Sequence, residues 1–218
     1  MIARDNPFAP SRLEKVLAFD PTLIGTSWDD LESRWHLLGR RAAITGRHGA
    51  GKTSLLNAWG RRLEAGGHSI LRLFFNREQN RLRDSDRAVL AECPGRTLLV
   101  DGDYHLRWLE RRELRRASRT AAGILVARHT RGSWPELVRL NPDLQLAWTL
   151  LDRAAPEFST RFQPVLDQRF TDLDSNLREL WLDCYGRLAK GWPPLRGRPS
   201  GKVPPPLSKD GRNILKKN

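Results

Sequence analysis

Short apolar runs alternate with amphipathic stretches along most of this chain. Arg41-Ala42-Ala43-Ile44-Thr45 predicts a strand ending at glycine. Lys52 to Ala65 follows as a helix with Leu55, Leu56, Trp59 and Leu63 at helical spacing, stopped by Gly66-Gly67. Ser69 to Phe75 predicts a second strand and Asp86 to Glu92 a second helix. Thr97-Leu98-Leu99-Val100 is wholly apolar, as a strand buried on both faces is. Leu106 to Ser118 reads as helix, Gly123 to Ala127 as a fourth strand, and Leu137 to Leu140 as a short fifth. Strands alternating with helices imply a parallel sheet with helices on both faces.

Two helices are expected beyond the sheet. Asn141-Pro142-Asp143 has the residues of a helix start, and Leu144, Ala147, Trp148 and Leu151 then line one side. Leu177, Leu180, Trp181, Cys184, Tyr185 and Leu188 form the apolar stripe of the second. The fold class is therefore α/β: a parallel sheet of about five strands under a small C-terminal helical cap. Residues 1–40 read as a helical lead-in, 41–140 as the α/β core, 141–190 as the cap and 191–218 as a tail. The tail carries seven basic residues against one acidic, is rich in proline, and has too few large apolar side chains to offset its ordering entropy, so it reads as disordered. No internal repeat is visible.

At 218 residues there is room for one such core and a small appendage. Only Cys93 and Cys184 occur, which excludes a disulfide scaffold and a cysteine-rich zinc module. No apolar run reaches membrane-spanning length and the amino end lacks the apolar stretch of a secretory leader, so the expected setting is cytoplasmic, with no membrane partner. Charge changes the picture more. There are 38 basic side chains, 31 of them arginine, against 25 acidic ones, for a net charge of +13. Such a balance favours phosphate-rich partners, and also fits an arginine-rich composition that places arginine on any solvated face.

The most specific motif is Gly46-Arg47-His48-Gly49-Ala50-Gly51-Lys52-Thr53, with Ser54 adjoining. It matches G-x-x-x-x-G-K-[ST] between a predicted strand and helix, the context a phosphate-binding loop requires. Glycines let the backbone wrap phosphates, with amides aimed inward at a helix N-terminus. Lys52 would reach the β- and γ-phosphates, and the Thr53 hydroxyl would ligate Mg²⁺. Leu98-Leu99-Val100-Asp101 supplies the second element, a carboxylate leaving a buried strand at the same sheet edge. That is where a Walker B aspartate helps hold Mg²⁺.

These two motifs, in this order, resemble the P-loop NTPase superfamily. The strand at 123–127 resembles that of its additional-strand branch, particularly small AAA-type ATPases, in which a strand lies between the P-loop and Walker B strands. The resemblance covers about residues 6–189 and implies ATP and Mg²⁺ as ligands. It makes His129 or Thr130, at the tip of that strand, the sensor of the γ-phosphate. Ser175-Asn176-Leu177-Arg178 looks like the start of the sensor 2 helix in origin-recognition-like and transposition-helper proteins, which would bring Arg178 onto the phosphates. The alternative there is an ordinary helix start, capped by Asn176, with Arg178 solvated. Asn6-Pro7-Phe8-Ala9-Pro10 resembles the segment that lines the adenine pocket. The branch is also expected to act by self-assembly or on a partner protein, often on DNA.

One departure matters. Where the branch has a glutamate after the Walker B aspartate, this chain has Gly102 and then Asp103. Asp103 is the substitute candidate for orienting water, on a shorter side chain two residues further along. Slow hydrolysis, or a nucleotide-gated binding switch with negligible turnover, is the alternative. Arg119 and Arg131 are arginine-finger candidates by location alone. The N/T-K-x-D string of GTPases and the L-S-G-G-Q-like string of ABC ATPases are absent, while a P-loop kinase with an acceptor pocket under the cap stays open.

The helix after Asp101 is the most charged ordered stretch. Arg107, Trp108, Arg111, Arg112, Arg115 and Arg116 spread over about half its circumference, opposite Leu106, Leu109 and Ala117. A basic face with one aromatic suits nucleic acid, as does the basic tail. A solvated helix laced with Glu–Arg pairs is the other reading.

Overall fold

A computed structural model of the chain describes residues 6–192. The tail expected at 191–218 lies almost wholly outside the described residues. Five strands form one parallel sheet: β1 (Arg41–Gly46), β2 (Ile70–Phe74), β3 (Thr97–Asp101), β4 (Gly123–Arg128) and β5 (Glu136–Leu140). Their spatial order is β2-β3-β4-β1-β5, which places β4 between the P-loop strand β1 and the Asp101 strand β3. Registers such as Thr45 beside Arg128 and Asp101 beside Ala127 align the carboxyl ends of the three central strands.

Alternation along the strands sends side chains into two cores. On one side Ile44, Leu99, Leu125 and Ala127 meet α2 (Trp28–Leu37) and α3 (Lys52–Ala65). Trp35 and Trp59 pack edge to face there, 5.5 Å apart, and the Trp35 indole donates to the Ile124 carbonyl. On the other side Leu98, Val100, Ile124 and Val126 meet α4 (Asp84–Ala91) and α5 (Trp108–Ala117) through Leu90 and Leu114. Leu114 of α5 and Leu106 just before the helix turn inward, but Leu109 is 59% exposed, which corrects the inward position expected for it. The inward stripe runs through 106, 110, 114 and 118, so Leu109 falls outside it.

The lead-in divides between these layers and the cap. Helix α2 starts at a capping box between Ser27 and Asp30 and belongs to the sheet core. Helix α1 (Pro10–Val16) packs on the cap through Leu13 and Leu17. The cap has three helices, α6 (Leu144–Ala154), α7 (Ser159–Asp172) and α8 (Leu177–Ala189), where the sequence pattern pointed to two. Helix α7 contains Pro164, a residue that normally argues against a helix interior. Phe162, Val165, Leu166 and Phe170 nevertheless bury a continuous stripe on both sides of it.

Phe8 ties the amino end to the cap. It is 1% exposed, lies 5.1 Å from the Phe162 ring and stacks on Trp181 at 6.2 Å. Asn6 holds that turn by donating to the Tyr185 carbonyl and accepting from the Phe8 amide. Phe8→Ala should therefore lower stability by about 3–5 kcal/mol, the usual cost of emptying a packed aromatic site. Urea unfolding followed by tryptophan fluorescence measures it; an unchanged midpoint would show that the amino segment does not brace the cap.

Candidate functional site

The loop from β1 into α3 meets the ends of β3 and β4 at one sheet edge. Its backbone is left-handed at Gly49 and Gly51, and a side chain on Gly49 would collide with the Asn176 amide at the start of α8. The first-turn amides of α3 have no intrahelical acceptor, the arrangement that anions seek. Lys52, 8% exposed, donates to the carbonyls of Gly46 at 2.8 Å and Arg47 at 2.6 Å. Burial lowers its pKa, with the Asp101 charge acting in the opposite direction.

Thr53 and Asp101 are in direct contact: the hydroxyl donates to the carboxylate at 2.6 Å. Burial raises the Asp101 pKa against the pull of Thr53 and Lys52. A hydroxyl and a carboxylate brought to one point are the hard oxygen donors that Mg²⁺ takes, so this pair fits the metal its fold implies.

His129, the first residue beyond β4, completes the cluster. Its Nδ1 lies 3.3 Å from the Lys52 ammonium, and its Nε2 is in hydrogen-bond contact with the Tyr104 hydroxyl. The His48 ring stands 3.5 Å from His129, centroid to centroid. Burial and the Lys52 charge hold the His129 pKa down to about 4, and burial likewise lowers His48 and His105. The imidazoles are neutral at pH 7. Of the two sensor candidates, His129 lines the cavity at this edge; Thr130 is exposed and does not.

That cavity has a volume of about 550 Å³ and two chemically different ends. Residues 48–54, Asp101, His129 and Arg178 line the polar end. Leu13, Leu17, Ile24, Leu146 and Trp181, with Phe8 and Pro10 beside them, make the other mainly apolar, although Glu14 and Asp20 also line the cavity there. Asn176 caps α8 by accepting from the Glu179 amide, as in an ordinary helix start, and the exposed Arg178 lines the cavity. Gly46 and Arg47 do not line it. Arg47 turns outward to an ion pair with Asp174, where Asp174 and Ser175 are both left-handed in the turn before α8.

Asp103 does not line the cavity either. It is 3% exposed and faces Arg128 across 3.4 Å, and burial raises its pKa despite that cation. Gly102 explains the departure in the motif. Its φ is +84°, and any side chain would strike the Phe75 carbonyl, so a glutamate cannot occupy this position in this loop. Tyr104 and His105 line the cavity and were not singled out in the sequence; their only signal is their place directly after the Asp101 strand. Of the finger candidates, Arg131 pairs with Glu136 and Arg119 lies in a separate pocket. No group of three or more metal-ligating side chains occurs among the described residues, and no described helix is long and apolar enough to cross a membrane.

The histidine cluster makes stability pH-dependent. The unfolded chain protonates His129 near its ordinary 6.5, whereas the folded chain resists until about 4. Stability is therefore fully present above that ordinary value and falls as pH drops through the window. His129→Asn should give a shallower fall of melting temperature between about pH 7 and about pH 4.5. Parallel curves for variant and wild type would show that His129 is not held neutral.

No family model matches the chain. A tRNA modification GTPase MnmE from a Cyanothece species is 33% identical over 123 residues, which is 53% of this chain and 22% of that protein. The chain thus spans about a fifth of that relative's length. Among solved structures, domain III of the Thermotoga maritima replication initiation protein DnaA superposes with a TM-score of 0.51 at 14% identity, covering 84% of this chain and 89% of that one. A Thermotoga maritima RuvB gives 0.43 at 13% identity, covering 78% and 72%. The chain has a P-loop NTPase fold resembling that of AAA-type ATPases.

Proposed function

We propose that this protein binds ATP with Mg²⁺ in the two-ended cavity and hydrolyses it slowly to gate a partner held on the basic face of α5. One observation carries the reading. Lys52, the Thr53–Asp101 pair and His129 converge at the polar end of a cavity whose other end is mainly apolar, as a triphosphate joined to a base requires. Residues 48–54 would cradle the phosphates and Lys52 would offset their charge as it builds up in transfer. Thr53 and Asp101 would hold Mg²⁺, which when bound screens the phosphate charge. His129, fixed by Tyr104, would face the terminal phosphate from β4, and Arg178 would meet it from the cap.

Slow turnover follows from what stands beyond Asp101. Gly102 has no room for a carboxylate side chain and Asp103 is committed to Arg128, so no acidic side chain of this loop beyond Asp101 is placed to orient water. The same facts favour the second reading, a nucleotide-dependent switch with negligible hydrolysis. ATP is proposed as the nucleotide because the N/T-K-x-D guanine signature is absent, although the curated relative is a GTPase. DNA is the partner to try first, since the superposed DnaA is a replication initiation protein and α5 is basic.

Steady-state release of phosphate from Mg-ATP and Mg-GTP, with and without DNA, decides between the readings. Lys52→Ala should reduce turnover by about 10²-fold or more. Asp103→Asn should leave turnover per folded molecule unchanged while lowering stability by about 3–5 kcal/mol, as a buried cation losing its partner does. Tight ATP binding without turnover in any condition would replace the enzyme by the switch. Turnover abolished by Asp103→Asn in a folded protein would return that carboxylate to the chemistry.

A further inference from the structure

Helix α5 does not behave as a self-neutralised surface helix. Among the described residues its one ion pair is Glu113 with Arg87 of α4. Arg107, Arg111, Arg112, Arg115, Arg116 and the following Arg119 form no ion pair among the described residues, and neither does Arg41. Elsewhere arginines such as Arg62, Arg139 and Arg153 do pair with carboxylates. Others, such as Arg34, Arg61 and Arg77, form none among these residues either; what sets this group apart is that six follow one another along a single helix and its end.

Three of them meet in a pocket. Arg41, Arg115 and Arg119, with Ser118 and Trp134, line a cavity of about 270 Å³. Arg41 opens β1, so the pocket lies at the sheet edge opposite the nucleotide cavity, and that cavity shares none of its residues. Arg41 is fixed in place: its guanidinium donates to the carbonyls of Ser118 at 2.6 Å, Arg119 at 3.0 Å and Ala121 at 3.2 Å. Arg115 is set over the Trp134 ring at 6.0 Å. No carboxylate lines this pocket, although the Asp103 charge acts on Arg115 from behind the helix; like charges gathered in a concave site favour an anion there, and guanidinium groups are matched to phosphate oxygens.

The pocket also has an approach. Trp108, Arg112, Arg115 with Arg116, and Arg119 follow one another at helical spacing, a stripe of roughly 16 Å that runs into it. Trp108 is 63% exposed at the far end. A single small anion would fill the pocket and leave the stripe unused. An acidic peptide would match the charges but give the exposed indole nothing flat to stack on. A strand of phosphodiesters with unpaired bases uses both.

We propose that the Arg41–Arg115–Arg119 pocket binds a phosphate of a single-stranded nucleic acid laid along α5, with an unpaired base stacked on Trp108. The proposal rests on the reading of α5 as the partner surface, and narrows it to one site and one class of ligand.

The test is fluorescence anisotropy of a labelled single-stranded oligodeoxynucleotide with the full chain, without ATP or Mg²⁺, across a salt series. The basic C-terminal segment is then common to every arm. Arg115→Gln/Arg119→Gln alters two exposed side chains, and circular dichroism verifies its fold. It should weaken binding about tenfold and flatten the dependence of log K on log salt by about 1.4, two single-strand phosphate contacts. Trp108→Ala should weaken binding by about tenfold with the slope retained. Unchanged affinity and slope in the double variant overturn the pocket. If Arg107→Gln/Arg112→Gln still weakens binding in that event, the α5 surface survives without it; if not, both readings fall. Duplex DNA or polyglutamate displacing the oligonucleotide as well as unlabelled single strand does overturns the ligand class.

Discussion

Everything at the candidate site depends on β4 lying between β1 and β3. Parallel pairing on both sides of β4 fixes the height of three strand ends at once: the P-loop start, Asp101 and His129. Because the interstrand ladder sets that height, the three functional ends are held by backbone hydrogen bonds in a fully buried layer. Side chains then need only short reaches. Lys52 meets His129 across the loop, and Thr53 meets Asp101 one strand further on. The cost is visible in the electrostatics: the same burial that makes the geometry rigid works against charge on Lys52, Asp101 and His129 together.

Most of this was legible because the relevant signals are local. The strand–loop–helix around Gly46–Thr53 and the apolar strand ending at Asp101 are contiguous in sequence, and each carries its own periodicity. What escaped was set by tertiary contacts. Helix α7 was hidden by Pro164, whose cost is outweighed by four buried apolar side chains. Leu109 lies outward because the inward stripe of α5 follows 106, 110 and 114. No local pattern distinguishes His129 from Thr130, since both follow the strand; only the cavity wall separates them.

Asp103 is the most instructive of these. A carboxylate two residues beyond Asp101 is a reasonable substitute for an absent glutamate until Gly102 is placed. Its left-handed φ turns the chain, and the following residue is carried under β4 to face Arg128 instead of the cavity. Proximity in sequence therefore does not bring Asp103 to the cavity, because a single backbone torsion redirects the chain. Tyr104, one residue later, is carried back to the cavity and onto His129. The loop thus splits its two consecutive side chains between a buried ion pair and the cavity.

That split bears on how the two edges of the sheet are joined through α5. Six residues separate Asp101 from Trp108, and the loop between them is held at Arg128 by Asp103, at His129 by Tyr104, and at Asn80 by the Arg107 amide. At its other end α5 is clamped to β1, through the three carbonyls that Arg41 holds. The helix is a strut with one end in the Asp101 loop and the other beside the arginine pocket. A rigid strut transmits displacement at one end to the other when its flanks are packed, and here Leu106 and Leu114 pack it on the sheet. A shift of the Asp101 loop in response to phosphate would therefore have to move α5 or break the Asp103–Arg128 contact. This contact is an ion pair whose Nε and Oδ1 atoms make no hydrogen bond, which makes it the weaker joint. In the proposed reading, the carboxylate that looked catalytic in the sequence is where the nucleotide edge is joined to the basic helix.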